Sequence, residues 1–156
     1  MAKRRKRTNK NVPAVGVLRS HADRLWSLAV RIDWNHRCAA CGNPEVQAHH
    51  LLPRHYTATR YELRNGIALC ATHHTLGPDS AHQNGPAFDR FLEKSHFGVY
   101  GWLQAQLDDC SYMHFDGTKN AWYYIDMIRK LQPYVEPHEF VGIVGVRFAA
   151  WLEDNE

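Results

Sequence analysis

The chain has 156 residues, 44% of them hydrophobic and 22% charged, with a formal net charge of +3, which is enough for one domain with a real core and too little for two ordinary ones. No apolar run approaches the roughly 18 to 20 residues of a membrane span, and the basic N-terminus lacks the apolar stretch of a secretory signal. These features predict no membrane role and place the chain in a reducing cytoplasm.

Charge is unevenly placed. Residues 1–10 hold six Lys/Arg and no acid, leaving 13 basic against 16 acidic residues in the body. The run Lys3-Arg4-Arg5-Lys6-Arg7 cannot pack, so residues 1–16 read as a disordered basic tail suited to phosphates through counterion release, or simply as a solubilising tail. From Leu18 to Trp34 the apolar Leu18, Leu25, Leu28, Ala29 and Ile32 recur at helical spacing. They predict an amphipathic helix, N-capped by Ser20, that lies over the unit following it.

That unit runs from Cys38 to His74. Cys38-Ala39-Ala40-Cys41 and Cys70-Ala71-Thr72-His73 are two pairs at metal-ligand spacing, and three thiolates with one imidazole suit a closed, tetrahedral, structural Zn²⁺ site. The spacing favours His73 over His74 as the fourth ligand. Cys110 stands apart as a small hydrophobe, and the cysteine pattern is poor arithmetic for a disulfide framework. Gly42 supplies the permissive backbone that a two-cysteine knuckle needs. Val46 to Leu52 predicts a short strand ended by Pro53, with the adjacent His49 and His50 on opposite faces. A polar loop carrying Arg54, His55, Arg60 and Arg64 has a phosphate-facing composition. Gly66 to Leu69 predicts a second strand, followed by a helix starting near Ala71. The whole reads as strand, loop, strand, helix: a ββα unit.

Beyond Gly77-Pro78-Asp79-Ser80, a break, Pro86 to Phe97 and Tyr100 to Leu107 read as two helices or one broken helix. Asp109 to Lys119 reads as a loop, and Asn120 to Tyr134 as a helix in which Trp122-Tyr123-Tyr124 belongs to the core rather than to a base-stacking platform. Phe140 to Leu152 leans towards helix over strand, and its apolar character would suit a dimer contact.

His49, His50, Asn65 and His74 have no structural reason to cluster. Here the sequence resembles the HNH (His-Me finger) endonucleases through His49-His50-Leu51-Leu52-Pro53, Asn65-Gly66-Ile67-Ala68-Leu69-Cys70 and Cys70-Ala71-Thr72-His73-His74. The resemblance implies an α+β fold, a zinc-stapled ββα-metal core with surrounding α-helices. It also implies a metal-dependent phosphodiester hydrolase acting on duplex or branched DNA. By the same resemblance His50 is the general base, His49 and His74 are ligands of a catalytic Mg²⁺ or Mn²⁺, and Asn65 orients the base or braces its loop. His82, eight residues beyond His74, is a candidate third ligand. Arg54, Arg60 and Arg64, with Lys3, Arg4, Arg5, Lys6 and Arg7, are the candidate DNA contacts. Ala58 to Asn65 and Phe91-Leu92-Glu93 with Phe97-Gly98 resemble a narrower branch, the phage NinG/Rap-like recombination nucleases. That branch implies phage or mobile-element DNA processing in a bacterial host. On this reading residues 17–108 form the nuclease domain and residues 109–156 a helical C-terminal extension packed on it. A zinc-stabilised, non-catalytic DNA-binding module is the rival from another class.

Overall fold

The computed structural model describes residues 12–110, 113 and 120–155. The basic run Lys3–Arg7 and most of the 109–119 loop lie outside the described residues. The fold is α+β, with one two-stranded antiparallel sheet among helices in the described residues.

Helix α1 spans Val15–Asp33. It begins five residues before Ser20, because the carbonyl of Ala14 accepts from Val17 and Leu18 N–H and Leu18 is fully buried. Packing of that first turn overrides the capping signal, so Ser20 lies within the helix and residues 15 and 16 are helical rather than tail. One side of α1, with Leu18, Ala22 and Leu25, joins a core built by α4 (Ala121–Leu131), α5 (Pro137–Val144) and α6 (Val146–Asp154). Towards its C-terminal half, Trp26 and Val30 press against the start of β2. The helix thus covers the small sheet, as its amphipathic pattern predicts, and is also the wall against which the C-terminal helices pack.

Strand β1 (Gln47–His50) pairs antiparallel with β2 (Gly66–Leu69), His50 opposite Gly66 and His49 opposite Ile67. The strand is shorter than Val46 to Leu52 because Leu52 N–H turns to the side-chain oxygen of Asn65 at 2.7 Å. A Cβ at Gly66 would collide with Val30 and Trp26, so glycine is what allows α1 to approach the end of the sheet beside His50. β2 is buried along its length.

After Cys70 the chain forms a π-helical turn, Thr72–Leu76, instead of an ordinary helix, closed by Gly77 N–H to the carbonyl of Thr72 at 2.8 Å. Two separate helices follow, α2 (Gly85–Ser95), N-capped by the Asn84 side chain, and α3 (Phe97–Asp109). They complete a second core with Cys38, Leu52, Ile67 and Leu69. The Phe140 to Leu152 stretch is helical but divided at Gly145, whose φ of 84° ends α5 and starts α6. Tyr124 is core, whereas Trp122 is 56% exposed and leans on Trp151. Cys110 is exposed rather than packed.

Candidate functional site

Two clusters of metal-ligating side chains stand out among the described residues. In the first, the ligand atoms of Cys38, Cys41, Cys70 and His73 all lie within 4.8 Å of one another. Cys41 and Cys70 sulfurs are 3.8 Å apart, and His73 Nδ1 is 3.6 Å from Cys38 Sγ and 3.2 Å from Cys70 Sγ. A tetrahedron with Zn–S bonds of about 2.3 Å has edges of about 3.8 Å, so the donor set and its spacing fit Zn²⁺. The knuckle is held open for it by Gly42, at φ 74°, whose N–H reaches the carbonyl of Cys38 at 2.8 Å. Ala39 N–H bonds the carbonyl of Ala68 at 2.9 Å, tying the knuckle to β2. Burial opposes ionisation of Cys38, but backbone hydrogen bonds from Cys70, Ala40 and Cys41 outweigh it and hold the thiol below its ordinary pKa. That favours the thiolate a metal requires.

The second cluster is His49, His74 and His82, again with ligand nitrogens within 4.8 Å of one another. His73 and His74, neighbours in sequence, reach different clusters because successive side chains leave a helical turn in different directions. Ala81 N–H bonds the carbonyl of His73 and His82 N–H that of His74, and this folding back of residues 77–82 brings His82 beside His74. Their Nε2 atoms are 3.2 Å apart. His74 Nδ1 lies 2.8 Å from Gln47 Oε1. An amide oxygen only accepts, so Nδ1 carries the proton and Nε2 is bare, the tautomer a metal ligand needs. Burial, with the neighbouring His74, His82 and His50, pushes His49 down to about 3, and burial with His82 lowers His74. Both are neutral at pH 7. Three imidazoles fit a divalent ion with positions left open for water or phosphate. Nitrogen donors suit zinc, nickel or iron better than the oxygen-preferring Mg²⁺ and Mn²⁺.

His50 points to the opposite face of β1. Its Nε2 lies 2.9 Å from the carbonyl of Arg60, and the indole of Trp26 stacks on its ring. The carbonyl fixes the proton on Nε2 and leaves Nδ1 as a bare acceptor. Burial is the main cause that lowers His50 to about 4, reinforced by Arg60 and Arg54 and opposed by the Arg60 carbonyl and Asp23. At pH 7 this imidazole is neutral.

Residues 38–76 match the family model described as HNH endonuclease. The matched HNH segment is a quarter of the chain and contains every ligand of the first cluster, together with His49, His50, Asn65 and His74; His82 lies beyond it. No curated protein and no solved structure matches the chain.

Within the HNH segment, Asn65 is completely buried. Its side chain accepts from Leu52 N–H and donates to the carbonyls of Leu52 at 3.1 Å and Thr59 at 3.0 Å. It braces the loop between the strands. Arg60 grips Asp23 of α1 through Nε at 3.0 Å and Nη2 at 2.7 Å, and donates Nη1 to the carbonyl of Arg54. Its guanidinium is therefore committed inside the protein, and its backbone carbonyl is what meets His50. Arg54 and Arg64 are exposed, Arg64 beside a cleft that Trp34 and Trp102 also line.

The sequence patterns overlooked Trp26, Asp23 and Gln47. Gln47 carried a usable signal, since it lies two residues before His49 and so shares its face of the strand. Trp26 and Asp23 carried none, because only the docking of α1 on the sheet brings them to His50 and Arg60.

Proposed function

We propose that the chain is a metal-dependent DNA endonuclease that hydrolyses phosphodiester bonds, with His50 as general base and His49, His74 and His82 holding one divalent ion. The observation that carries this reading is the division of labour on β1. His49 joins an all-imidazole cluster, and its neighbour His50 is held neutral in a single tautomer on the other face.

His50 Nδ1 accepts a proton from water; the water oxygen bonds to phosphorus as the P–O3′ bond breaks, and the departing 3′ oxygen takes a proton from solvent, leaving 5′-phosphate and 3′-hydroxyl ends. A divalent ion, when bound, supplies a Lewis acid for the charge on the phosphoryl and departing 3′ oxygens. His49 and His74 bind through neutral nitrogens, Gln47 orients His74, and Asn65 keeps the loop behind His50 in place. Cys38, Cys41, Cys70 and His73 hold a structural zinc. Processing of phage or mobile-element DNA, including branched intermediates, is the finer role we propose from the likeness to NinG/Rap-like nucleases.

The test is cleavage of supercoiled plasmid and of a synthetic four-way junction by wild type and His50→Ala, with Mg²⁺, Mn²⁺, Zn²⁺ or Ni²⁺ and with EDTA. Metal-dependent cutting that disappears in His50→Ala is expected. Cutting that survives the substitution would remove His50 as the base. DNA binding without cutting under any metal would instead favour the zinc-stabilised binding module.

A further inference from the structure

The solvent side of α1 carries a pattern that the nuclease chemistry does not use. Ser20, Arg24, Ser27 and Arg31 fall at intervals of four, three and four residues, which places them along one face of the helix. With Arg19 they line an open groove between α1 and α5. Arg19 and Arg24 are exposed and Arg31 is half-buried, its Nε anchored to the carbonyl of Ser27 at 3.2 Å. The acidic residue in this groove, Asp23, is engaged by Arg60 and also accepts from Tyr61 OH at 2.9 Å. Its charge is thereby answered from within the protein, and the three arginines dominate the lining.

We infer that this groove is a docking track for the phosphate backbone of duplex DNA, an inference that rests on the nuclease reading of the adjoining site. Charge complementarity points to this occupant. Outside residues 1–10 the chain has fewer basic than acidic residues, so a groove lined by three arginines is a local departure from an acidic body. Serines between the arginines keep the surface low and offer hydroxyls to phosphate oxygens. Geometry agrees: at 1.5 Å rise per residue Arg19 and Arg31 are about 18 Å apart along the helix, the axial span of about five phosphates of one strand at about 3.4 Å each. The groove is also tied to the candidate site through a chain of hydrogen bonds. Asp23 belongs to its wall and holds Arg60, whose carbonyl fixes His50.

The experiment uses the full, zinc-loaded chain with no other divalent ion and no chelator, and a fluorescein-labelled duplex whose phosphorothioate linkages resist hydrolysis, so that binding is read without cutting; anisotropy is followed from about 50 to about 200 mM salt. The slope of log Kobs against log salt for the triple variant Arg19→Gln, Arg24→Gln, Arg31→Gln should be shallower than that of wild type by about 2 to 3, because each phosphate no longer neutralised takes about 0.9 from the slope. A control triple, Arg90→Gln, Lys94→Gln, Arg147→Gln, removes three exposed charges elsewhere and should change the slope little. If the triple loses its zinc or its helical circular dichroism, the double Arg19→Gln, Arg24→Gln replaces it, with an expected reduction of about 1.8. An unchanged slope overturns the track, as does an equal reduction in the control, or tighter binding of same-length duplex RNA. The two readings fail separately: cleavage abolished by His50→Ala with a normal slope in the triple leaves the nuclease and removes the track. A shallower slope in a protein that cuts nothing leaves the track and removes the nuclease.

Discussion

The indole of Trp26 lies flat on the imidazole of His50, ring centroids 3.6 Å apart and planes 11° from parallel. Trp26 is itself pinned, its Nε1–H donating to the carbonyl of Glu62 at 3.0 Å. A residue of the first helix therefore sets the plane of the proposed base, and α1 is part of the site rather than only a cover. Trp26→Ala removes a buried aromatic and should destabilise the fold by about 3 to 5 kcal/mol, with cleavage falling further than the loss of folded protein explains. Trp26→Phe keeps a stacking ring and should recover most of the activity. Denaturant unfolding alongside plasmid cleavage checks both; equal specific activity of the folded fractions of Trp26→Ala and wild type would show that the stack positions nothing.

Asn65 answers three buried backbone groups with one side chain. Asn65→Ala leaves the N–H of Leu52 and the carbonyls of Leu52 and Thr59 without that partner, at about 1 kcal/mol or more each. A destabilisation of about 3 kcal/mol is expected, together with faster proteolysis between residues 52 and 64. A loss under about 1 kcal/mol would mean that water replaces the amide and that the loop stands without it.

In the proposed site of Cys38, Cys41, Cys70 and His73, zinc would substitute for core that the small sheet lacks. Cys41→Ser should lower zinc content by about one per chain relative to wild type and abolish the cooperative melting of the segment around β1 and β2, because metal binding and folding are coupled there. Metal analysis and thermal melts read the two effects. Wild-type melting with zinc absent would show that the packing of α1, α2 and α3 suffices.

Acid should weaken the fold in a defined direction. Burial holds His50 at about 4, whereas in the unfolded chain a histidine titrates near 6.5. Below about pH 6.5 the unfolded chain therefore takes up a proton that the folded chain refuses, so stability is full above that pH and falls as pH drops towards about 4. The zinc ligands protonate in an overlapping range, so the comparison is with His50→Phe, which keeps a ring against Trp26. Its denaturation midpoint should fall less than that of wild type between about pH 7 and about pH 4.5. Identical falls would mean that His50 is not held below its ordinary pKa.

Much of the chemistry was legible in one dimension because ligand spacing and strand alternation are local properties. Cys38, Cys41, Cys70 and His73 read as a zinc set from two-residue gaps, and His49 and His50 read as facing apart because consecutive strand residues must. Arg60 read as a phosphate contact, since charge in a polar loop looks the same whether or not a carboxylate waits 37 residues earlier. The π turn was also hidden: His82 reaches His74 only because residues 77–82 fold back by backbone hydrogen bonds that no side-chain pattern announces.

Which groups can bind metal or accept a proton, and on which face of the strand each sits, follows from residue order alone. Their states come from the folded arrangement. Docking of α1, admitted by the missing Cβ of Gly66, stacks Trp26 on His50 and brings Asp23 to Arg60. Burial under that helix makes the imidazole neutral, and the Arg60 carbonyl chooses its tautomer. Desolvation and orientation depend on contacts between residues far apart in the chain, so they exist only once the chain has folded.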